Sequence, residues 1–219
     1  MIRFEDVSFS YPGTPVLEKI DFCMKDGEFV GILGPNGGGK STFLRLALGL
    51  LKPSSGKVEI REKRISYIAQ TTSISDSSFP ATVEEVVGLG LVGPKLDFHF
   101  KQRKQKVESV LKDMGLYPFR SRLVNELSGG QLQRVKIAKA IIGSPTLIVL
   151  DEPDAGMDEE SHEGLVRIVS ELHQKKIGIL FVSHHPNDLS ESDRIEFIEA
   201  GKILPYEEEL SRGHHHVDL

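Results

Sequence analysis

The chain has 219 residues, a net charge of −5 and a single cysteine, Cys23. One cysteine excludes a disulfide within the chain, and no apolar run approaches the roughly 20 residues that a membrane-spanning helix needs. The length suffices for one α/β domain with a smaller lobe, and the negative charge balance gives no support to nucleic-acid binding. The first residues are charged where a secretory signal would be apolar, so a cytosolic protein is expected.

Two strands are predicted in the first 28 residues. Apolar side chains alternate with polar ones in two runs, and a turn at 25–27 ends the second run. The alternating apolar residues are Ile2, Phe4, Ile20, Phe22 and Met24. Because period-two alternation is typical of strands with one buried face, the pattern predicts an antiparallel β layer.

A glycine-rich turn lies between the apolar run 29–33 and a helical pattern that begins at Lys40. Its residues are Gly34, Pro35, Asn36, Gly37, Gly38, Gly39, Lys40, Ser41 and Thr42. Since glycine lacks a Cβ, successive N–H groups can converge on phosphate oxygens, and the helix start adds its positive end. Lys40 is expected to reach the β- and γ-phosphates of a nucleotide, and the Ser41 hydroxyl to bind Mg²⁺. A turn with a helix-capping serine is the alternative, but the strand before and the helix after it favour the nucleotide loop.

The middle of the chain becomes helical from about residue 71 to residue 126, after two further predicted strands. Thr82 is predicted as the N-cap of one helix, and Gly115 as the end of a later one. This stretch predicts a separate helical lobe. The basic run 101–106 precedes apolar residues at helical spacing, which favours a solvated helix face.

The last third alternates strands and helices. Ser128 is predicted to cap a helix at a second glycine-rich turn, 127–131, and strands are predicted at 146–150 and 177–183. This βαβ rhythm predicts a parallel sheet, in which the strand before His184 is expected beside the strand that ends at Glu152.

Two carboxylates, Asp151 and Glu152, follow the apolar run 147–150. Ligands bind at the carboxyl edge of parallel strands, so both side chains are expected at a ligand site. Asp151 is predicted to hold Mg²⁺, directly or through a water, and Glu152 to polarise an attacking water as general base. Taken alone, the pair could also be a solvated strand end.

With these motifs in order, the chain resembles the ATP-binding subunit of an ABC transporter from about Ile2 to Tyr206. The resemblance implies an α/β fold: a P-loop NTPase with a RecA-like parallel sheet core, an N-terminal antiparallel β layer and an inserted helical lobe. It implies an ABC ATPase domain at 1–212 and a histidine-containing tail at 213–219. Within the domain it gives the β layer at 1–28, the core at 29–70 and 127–206, and the helical lobe at 71–126.

The resemblance also assigns roles to single residues. It implies that Tyr11 stacks on adenine, that Gln70 senses the γ-phosphate and binds the metal, and that His184 is the switch histidine. The catalytic set it implies is Glu152, His184, Gln70 and Lys40, with Ser41, Gln70 and Asp151 as Mg²⁺ ligands. Each of these residues also has an alternative without a role in catalysis. Tyr11 could be an ordinary strand aromatic, Gln70 a solvated strand end and His184 a hydrogen-bonded core or surface imidazole. The neighbouring His185 also fits the position of the switch histidine. Asp154 departs from the family, which more often has Ser or Thr there. The extra carboxylate either repels phosphate, which would change the rate of ATP hydrolysis, or points to solvent.

ATP, Mg²⁺ and a second copy of the chain are implied partners. Residues 155–158 match the family's dimer-contacting loop. The signature loop of the opposing subunit is implied to bind the γ-phosphate, which gives a head-to-tail homodimer around two ATP molecules; its residues are Ser128, Gly129, Gly130 and Gln131. A membrane permease is the further partner, and through it a substrate-binding protein, so the subunit is expected at the cytoplasmic face of the membrane. Phe79, Pro80 and the helix from Thr82 are the docking candidates, with a buried loop anchor as the alternative.

The transported substrate is predicted from three weaker resemblances. The 37–39 glycine run, the 60–65 connection and the 79–87 segment resemble ATPases of zinc and manganese uptake. The alternatives are an importer of iron chelates, haem or cobalamin, a soluble non-transport ABC ATPase, and a non-hydrolysing switch. His214, His215 and His216 suggest either zinc-dependent regulation or merely a solvated tail.

Overall fold

The computed structural model describes residues 1–62, 64–69, 80–91, 100–153, 157 and 159–206. Several sequence predictions therefore lie outside the described residues. They concern Gln70, Phe79, Asp154, the 155–158 loop apart from Met157, and the histidine tail.

A three-stranded antiparallel sheet forms the first layer. Strand β1 (Ile2–Tyr11) pairs with β2 (Thr14–Met24) on one edge. On its other edge β1 pairs with β4 (Ser55–Ile60), which lies after the phosphate loop in the chain. The predicted antiparallel pairing of the first two strands is confirmed, and a third strand joins from a segment predicted to serve the ATPase core.

A six-stranded sheet forms the second layer, in the order β5-β6-β7-β3-β8-β9. The first five strands run parallel and β9 is antiparallel at the edge. The strands are β3 (Phe29–Leu33), β5 (Ile65–Ile68), β6 (Leu147–Asp151), β7 (Gly178–Val182), β8 (Arg194–Glu199) and β9 (Lys202–Pro205). Every residue of β3, β6 and β7 is buried, as expected for central strands covered on both faces. The predicted α/β fold is confirmed.

Helix α1 (Lys40–Ala47) lies between the two layers. Phe43 packs with Phe4 and Phe22 of the antiparallel sheet, with ring centroids 4.9 and 5.0 Å apart, and all three side chains are buried. The same apolar cluster includes Val149 of β6. Packing on both sides fixes α1, and with it the loop that begins the helix, against the carboxyl edge of the parallel sheet.

The remaining helices pack in a second apolar cluster with the other face of the parallel sheet. They are α2 (Val83–Gly88), α3 (Phe100–Asp113), α4 (Gly129–Ile141) and α5 (Glu159–Gln174). Thr82 and Ser128 cap α2 and α4 as predicted, and Gly115, with φ of 67°, follows the end of α3. No helix in the described part of the chain is both long and apolar enough to span a membrane. The division of the domain at 28, 70 and 126 stays a prediction.

Candidate active site

The phosphate loop (34–41) turns tightly against the end of β8. Gly34 has φ of 143°, and a Cβ there would lie 2.0 Å from the carbonyl oxygen of Ile198. A Cβ on Gly38 would lie 2.6 Å from the same oxygen. Gly39, with φ of 111°, precedes α1 and gives it no side-chain cap, so the first N–H groups of the helix are left to bind an anion. Glycine is required here by backbone conformation and by close approach.

Lys40 is buried beneath this loop, with 5 % of its surface exposed. Its ammonium donates hydrogen bonds to the carbonyl oxygens of Gly34, at 2.9 Å, and Pro35, at 3.1 Å. Nζ also lies 3.7 Å from Oε1 of Glu152. A cation held by neutral carbonyls and one carboxylate, at the start of a helix, suits a site for phosphate oxygens.

Glu152 lies between Lys40 and His184. Its Oε1 is 2.9 Å from Nε2 of His184. His184 is the second residue after β7 and directly follows Ser183. The sequence predicted that the strands ending at these two residues are neighbours, and β6 and β7 pair in parallel as predicted. Glu152 has φ of 47° and donates its N–H to the carbonyl oxygen of Val182, so the backbone turns sharply at the strand end.

The neighbouring histidine has different surroundings. His184 contacts Glu152, whereas the ring centroid of His185 lies 6.3 Å from that of His162 on α5. The structure therefore gives a geometric reason to choose His184 as the partner of the glutamate, where the sequence had only its position in the motif.

Asp151 is held by a residue that the sequence reasoning missed. The hydroxyl of Tyr67, on β5, donates a hydrogen bond to Oδ2 of Asp151 at 2.9 Å. Burial raises the pKa of Asp151 even though this hydrogen bond acts to lower it, and burial together with the Asp151 charge raises the pKa of Tyr67 to about 12. Tyr67 pairs with Val149, two residues before Asp151, so both side chains share one face of the sheet. That alternation was the available signal, but it needed the strand order.

The oxygen ligands present fit Mg²⁺, which prefers carboxylate and hydroxyl oxygens. Asp151 is 7 % exposed, and burial disfavours its negative charge, a cost that a bound cation would offset. The hydroxyl of Ser41 belongs to the first turn of α1 and is exposed. Gln70, the third predicted ligand, lies outside the described part of the chain.

Tyr11 lies at the end of β1 and is 38 % exposed. Its hydroxyl accepts a hydrogen bond from Arg45 of α1 at 3.3 Å, and its ring meets that of Phe9 edge-on at 5.0 Å. These contacts orient an exposed aromatic ring beside the helix that begins at the phosphate loop.

The signature loop (127–131) is organised by a reciprocal cap. Ser128 Oγ accepts from the N–H of Gln131 at 3.3 Å, and Gln131 Oε1 accepts from the N–H of Ser128 at 3.2 Å. Ser128 and Gly129 are exposed, whereas Gly130 packs so closely on Ser161 of α5 that a Cβ would lie 2.0 Å from Ser161 Oγ. The loop thus presents Ser128 and Gly129 at the surface, on a helix N-terminus.

Comparisons with known proteins agree with this geometry. A family model described as ABC transporter matches residues 17–155. The chain is 38% identical over 196 residues to the zinc uptake system ATP-binding protein ZurA of Listeria innocua serovar 6a, covering 84% of this chain and 76% of that protein. It is 34% identical over 215 residues to the high-affinity zinc uptake system ATP-binding protein ZnuC of Bacillus subtilis, covering 92% of each. Its fold is similar to a dimeric post-hydrolysis structure of the ATP-binding cassette MJ0796 bound to ADP and Pi, with a TM-score of 0.79, 27% identity and coverage of 93% of this chain and 96% of that one.

Proposed function

The chain belongs to the family of ABC transporter ATP-binding proteins, and from that premise we propose that it is the ATP-hydrolysing subunit of a zinc importer. The observation that carries the ATPase assignment is the contact of Glu152 with both Lys40 and His184 at the end of the phosphate loop. A carboxylate, a cation and an imidazole converge where a γ-phosphate and its attacking water would meet.

In this proposal the phosphate loop binds the triphosphate through backbone N–H groups, and Lys40 neutralises charge on the β- and γ-phosphates. Lys40 exchanges the carbonyl oxygens of Gly34 and Pro35 for phosphate oxygens, which as charged acceptors form stronger hydrogen bonds with an ammonium group. Mg²⁺, when held by Asp151, Ser41 and Gln70, supplies charge neutralisation on the phosphates.

Glu152 acts as the general base. Its carboxylate orients the water and takes its proton as the oxygen attacks phosphorus, and the β–γ bridging oxygen leaves with ADP. Nε2 of His184, 2.9 Å from the same carboxylate, holds Glu152 in place before the nucleotide binds, and in the ATP complex this N–H donates to the γ-phosphate instead. Glu152 is only 12 % exposed, which limits the bulk water that competes with the positioned one.

The signature loop completes the site of a second copy. We assign Ser128, Gly129, Gly130 and Gln131 to the nucleotide of the opposing subunit, and Tyr11 to the adenine of its own. The exposed Ser128 and Gly129 at a helix N-terminus support this assignment, because such an end binds anions. ATP that touches both copies binds the closed dimer better than the open one, and that difference drives closure.

Zinc is assigned from the relatives. The similarity to zinc uptake proteins of two organisms covers most of each chain. Manganese, iron chelates, haem and cobalamin remain the competing cargoes, and a soluble non-transport ATPase the competing class. A permease partner, docked near Pro80 and α2, would hold this subunit at the cytoplasmic face of the membrane. Leu89, just after α2, is 45 % exposed and offers an apolar contact there.

The test is a deletion strain lacking this chain, grown with zinc, manganese, a ferric chelate or cobalamin as the limiting nutrient. The parent gene should restore growth at low zinc, and a Glu152→Gln variant, produced at the same level, should not. Rescue confined to the iron chelate or cobalamin would overturn the zinc assignment. Zinc-dependent rescue by the Glu152→Gln variant would instead overturn the assigned role of Glu152.

A further inference from the structure

The first turn of α5 contacts two loops that the proposed function assigns to two different nucleotides. Ser161 packs on Gly130 of the signature loop, which serves the opposing subunit. Nε2 of the next residue, His162, lies 2.6 Å from Oδ1 of Asp188. Asp188 is four residues after His184, and the proposed function assigns His184 to this subunit's own nucleotide. Adjacent residues of one helical turn therefore meet both loops.

Asp188 organises the backbone around His184. Its side chain is fully buried, and Oδ2 accepts a hydrogen bond from the hydroxyl of Ser183. The same hydroxyl oxygen accepts the N–H of His185 at 2.9 Å, and the N–H of Asp188 donates to the carbonyl oxygen of His185 at 3.1 Å. The residues before and after His184 are thus both tied to one buried carboxylate.

The other oxygen of that carboxylate depends on His162. Nε2 of His162 and Oδ1 of Asp188 are both buried, and neither has a geometrically aligned hydrogen bond to a described residue. The two atoms nevertheless lie 2.6 Å apart, so the imidazole nitrogen is in direct contact with this carboxylate oxygen. Removing the imidazole would leave a buried carboxylate oxygen without this neighbour and would remove this polar contact between the 183–188 loop and α5.

We propose that His162 is a positioning residue for His184: it holds Asp188, and with it the 183–188 loop, against the first turn of α5. The inference rests on the proposed role of His184. Because the same turn packs on Gly130 and begins directly after the 155–158 loop, a movement of α5 on dimer closure would shift the signature loop and His184 together. His162 would thereby link the geometry of one nucleotide site to that of the other.

The test compares three variants of the full chain in steady-state ATP hydrolysis. His162→Ala is expected to lower kcat by about ten- to a hundred-fold, since small misplacements of catalytic groups have effects of this size. ATP affinity, measured by calorimetry, should stay within about two-fold of the parent, because the phosphate loop is untouched. His162→Gln, whose amide N–H can approach Asp188, should recover most of kcat, whereas His162→Leu, of similar bulk without a donor, should not.

His173 provides a matched control on the same helix. Its Nε2 lies 3.3 Å from Oδ2 of Asp193, so His173→Ala also removes a histidine–aspartate contact of α5. That variant should keep the parent kcat. An equal loss in the His162 and His173 variants would show general loosening of α5 and overturn the proposal, as would a parent-like kcat in both His162→Ala and His162→Leu.

A parallel His184→Ala variant separates this inference from the function on which it rests. If His184→Ala keeps the parent kcat, the assigned role of His184 fails. If His184→Ala is inactive while His162→Ala is fully active, only the positioning role fails. In the double variant, His162→Ala should add no loss to that of His184→Ala, because both changes act through one group; additive losses would contradict the proposal.

Discussion

Replacing Tyr67 by Phe removes the hydroxyl that donates to Asp151 and keeps the ring. The lost hydrogen bond is 2.9 Å long and joins a carboxylate that is 7 % exposed. Hydrogen bonds to charged groups contribute about 1.5–3 kcal/mol, but Tyr67 is 40 % exposed and water can replace part of the bond, so about 1 kcal/mol is expected. For a chain of this size, that loss lowers Tm by about 2–4 °C.

The pH dependence of the loss has a definite sign. The Tyr67 hydrogen bond acts to lower the pKa of Asp151, so its contribution is present while Asp151 is ionised and disappears as the pH falls through that pKa. Because burial raises the pKa of Asp151 overall, the difference in Tm between variant and parent should begin to shrink at a pH above 3.8, the ordinary pKa of an aspartate. Thermal unfolding at a series of pH values measures this difference. A gap that widens in acid would contradict the reasoning.

The same variant should respond differently to Mg²⁺. A carboxylate that has lost its orienting partner binds metal more weakly, and such changes typically cost about 10-fold or more in metal affinity. The assay is nucleotide binding by the purified chain as Mg²⁺ is varied, with phosphate release as a second readout. Tyr117→Phe is the matched control, since it also removes a tyrosine hydroxyl, at a residue of the short helix Tyr117–Phe119 that has no assigned role in nucleotide binding. An unchanged Mg²⁺ response in Tyr67→Phe would refute the positioning of Asp151 by this hydroxyl.

Three further predictions concern the phosphate loop and the base. Glu152→Gln keeps the shape and removes the base, so ATP should still bind while hydrolysis nearly stops, and size-exclusion chromatography with ATP should show an accumulated dimer; a variant that stays monomeric at saturating ATP speaks against this. Lys40→Ala removes the buried cation, so calorimetry should show weaker nucleotide binding. Equal nucleotide affinity in variant and parent would refute the role of Lys40 at the β- and γ-phosphates. In Gly34→Ala, the new Cβ would clash with the carbonyl oxygen of Ile198, and the residue would have to keep a positive φ. The free energy of unfolding should therefore fall by about 1–3 kcal/mol or more. Gly37→Ala, with φ of 79° and open space, should lose less, and equal losses would show that close approach is unimportant.

Local sequence patterns determined the elements that carry the nucleotide chemistry. The phosphate loop, the caps at Thr82 and Ser128, and the strand that ends in Asp151 each depend on residues within a few positions, so spacing alone predicts them. The adjacency of β6 and β7 was also predicted, because buried parallel strands separated by a helix commonly pair.

Tertiary structure alone decided the contacts between distant segments. β4 joins the three-stranded antiparallel sheet by pairing with the edge of β1 that β2 leaves open. Its place in the chain, after the phosphate loop, had suggested the ATPase core instead. Tyr67 contacts Asp151 although 84 residues separate them in the chain. His162 contacts Asp188 only because α5 packs beside the 183–188 loop. A side chain's local spacing defines which face it occupies, but its partner depends on strand order and helix packing, which are set by burial of the whole core.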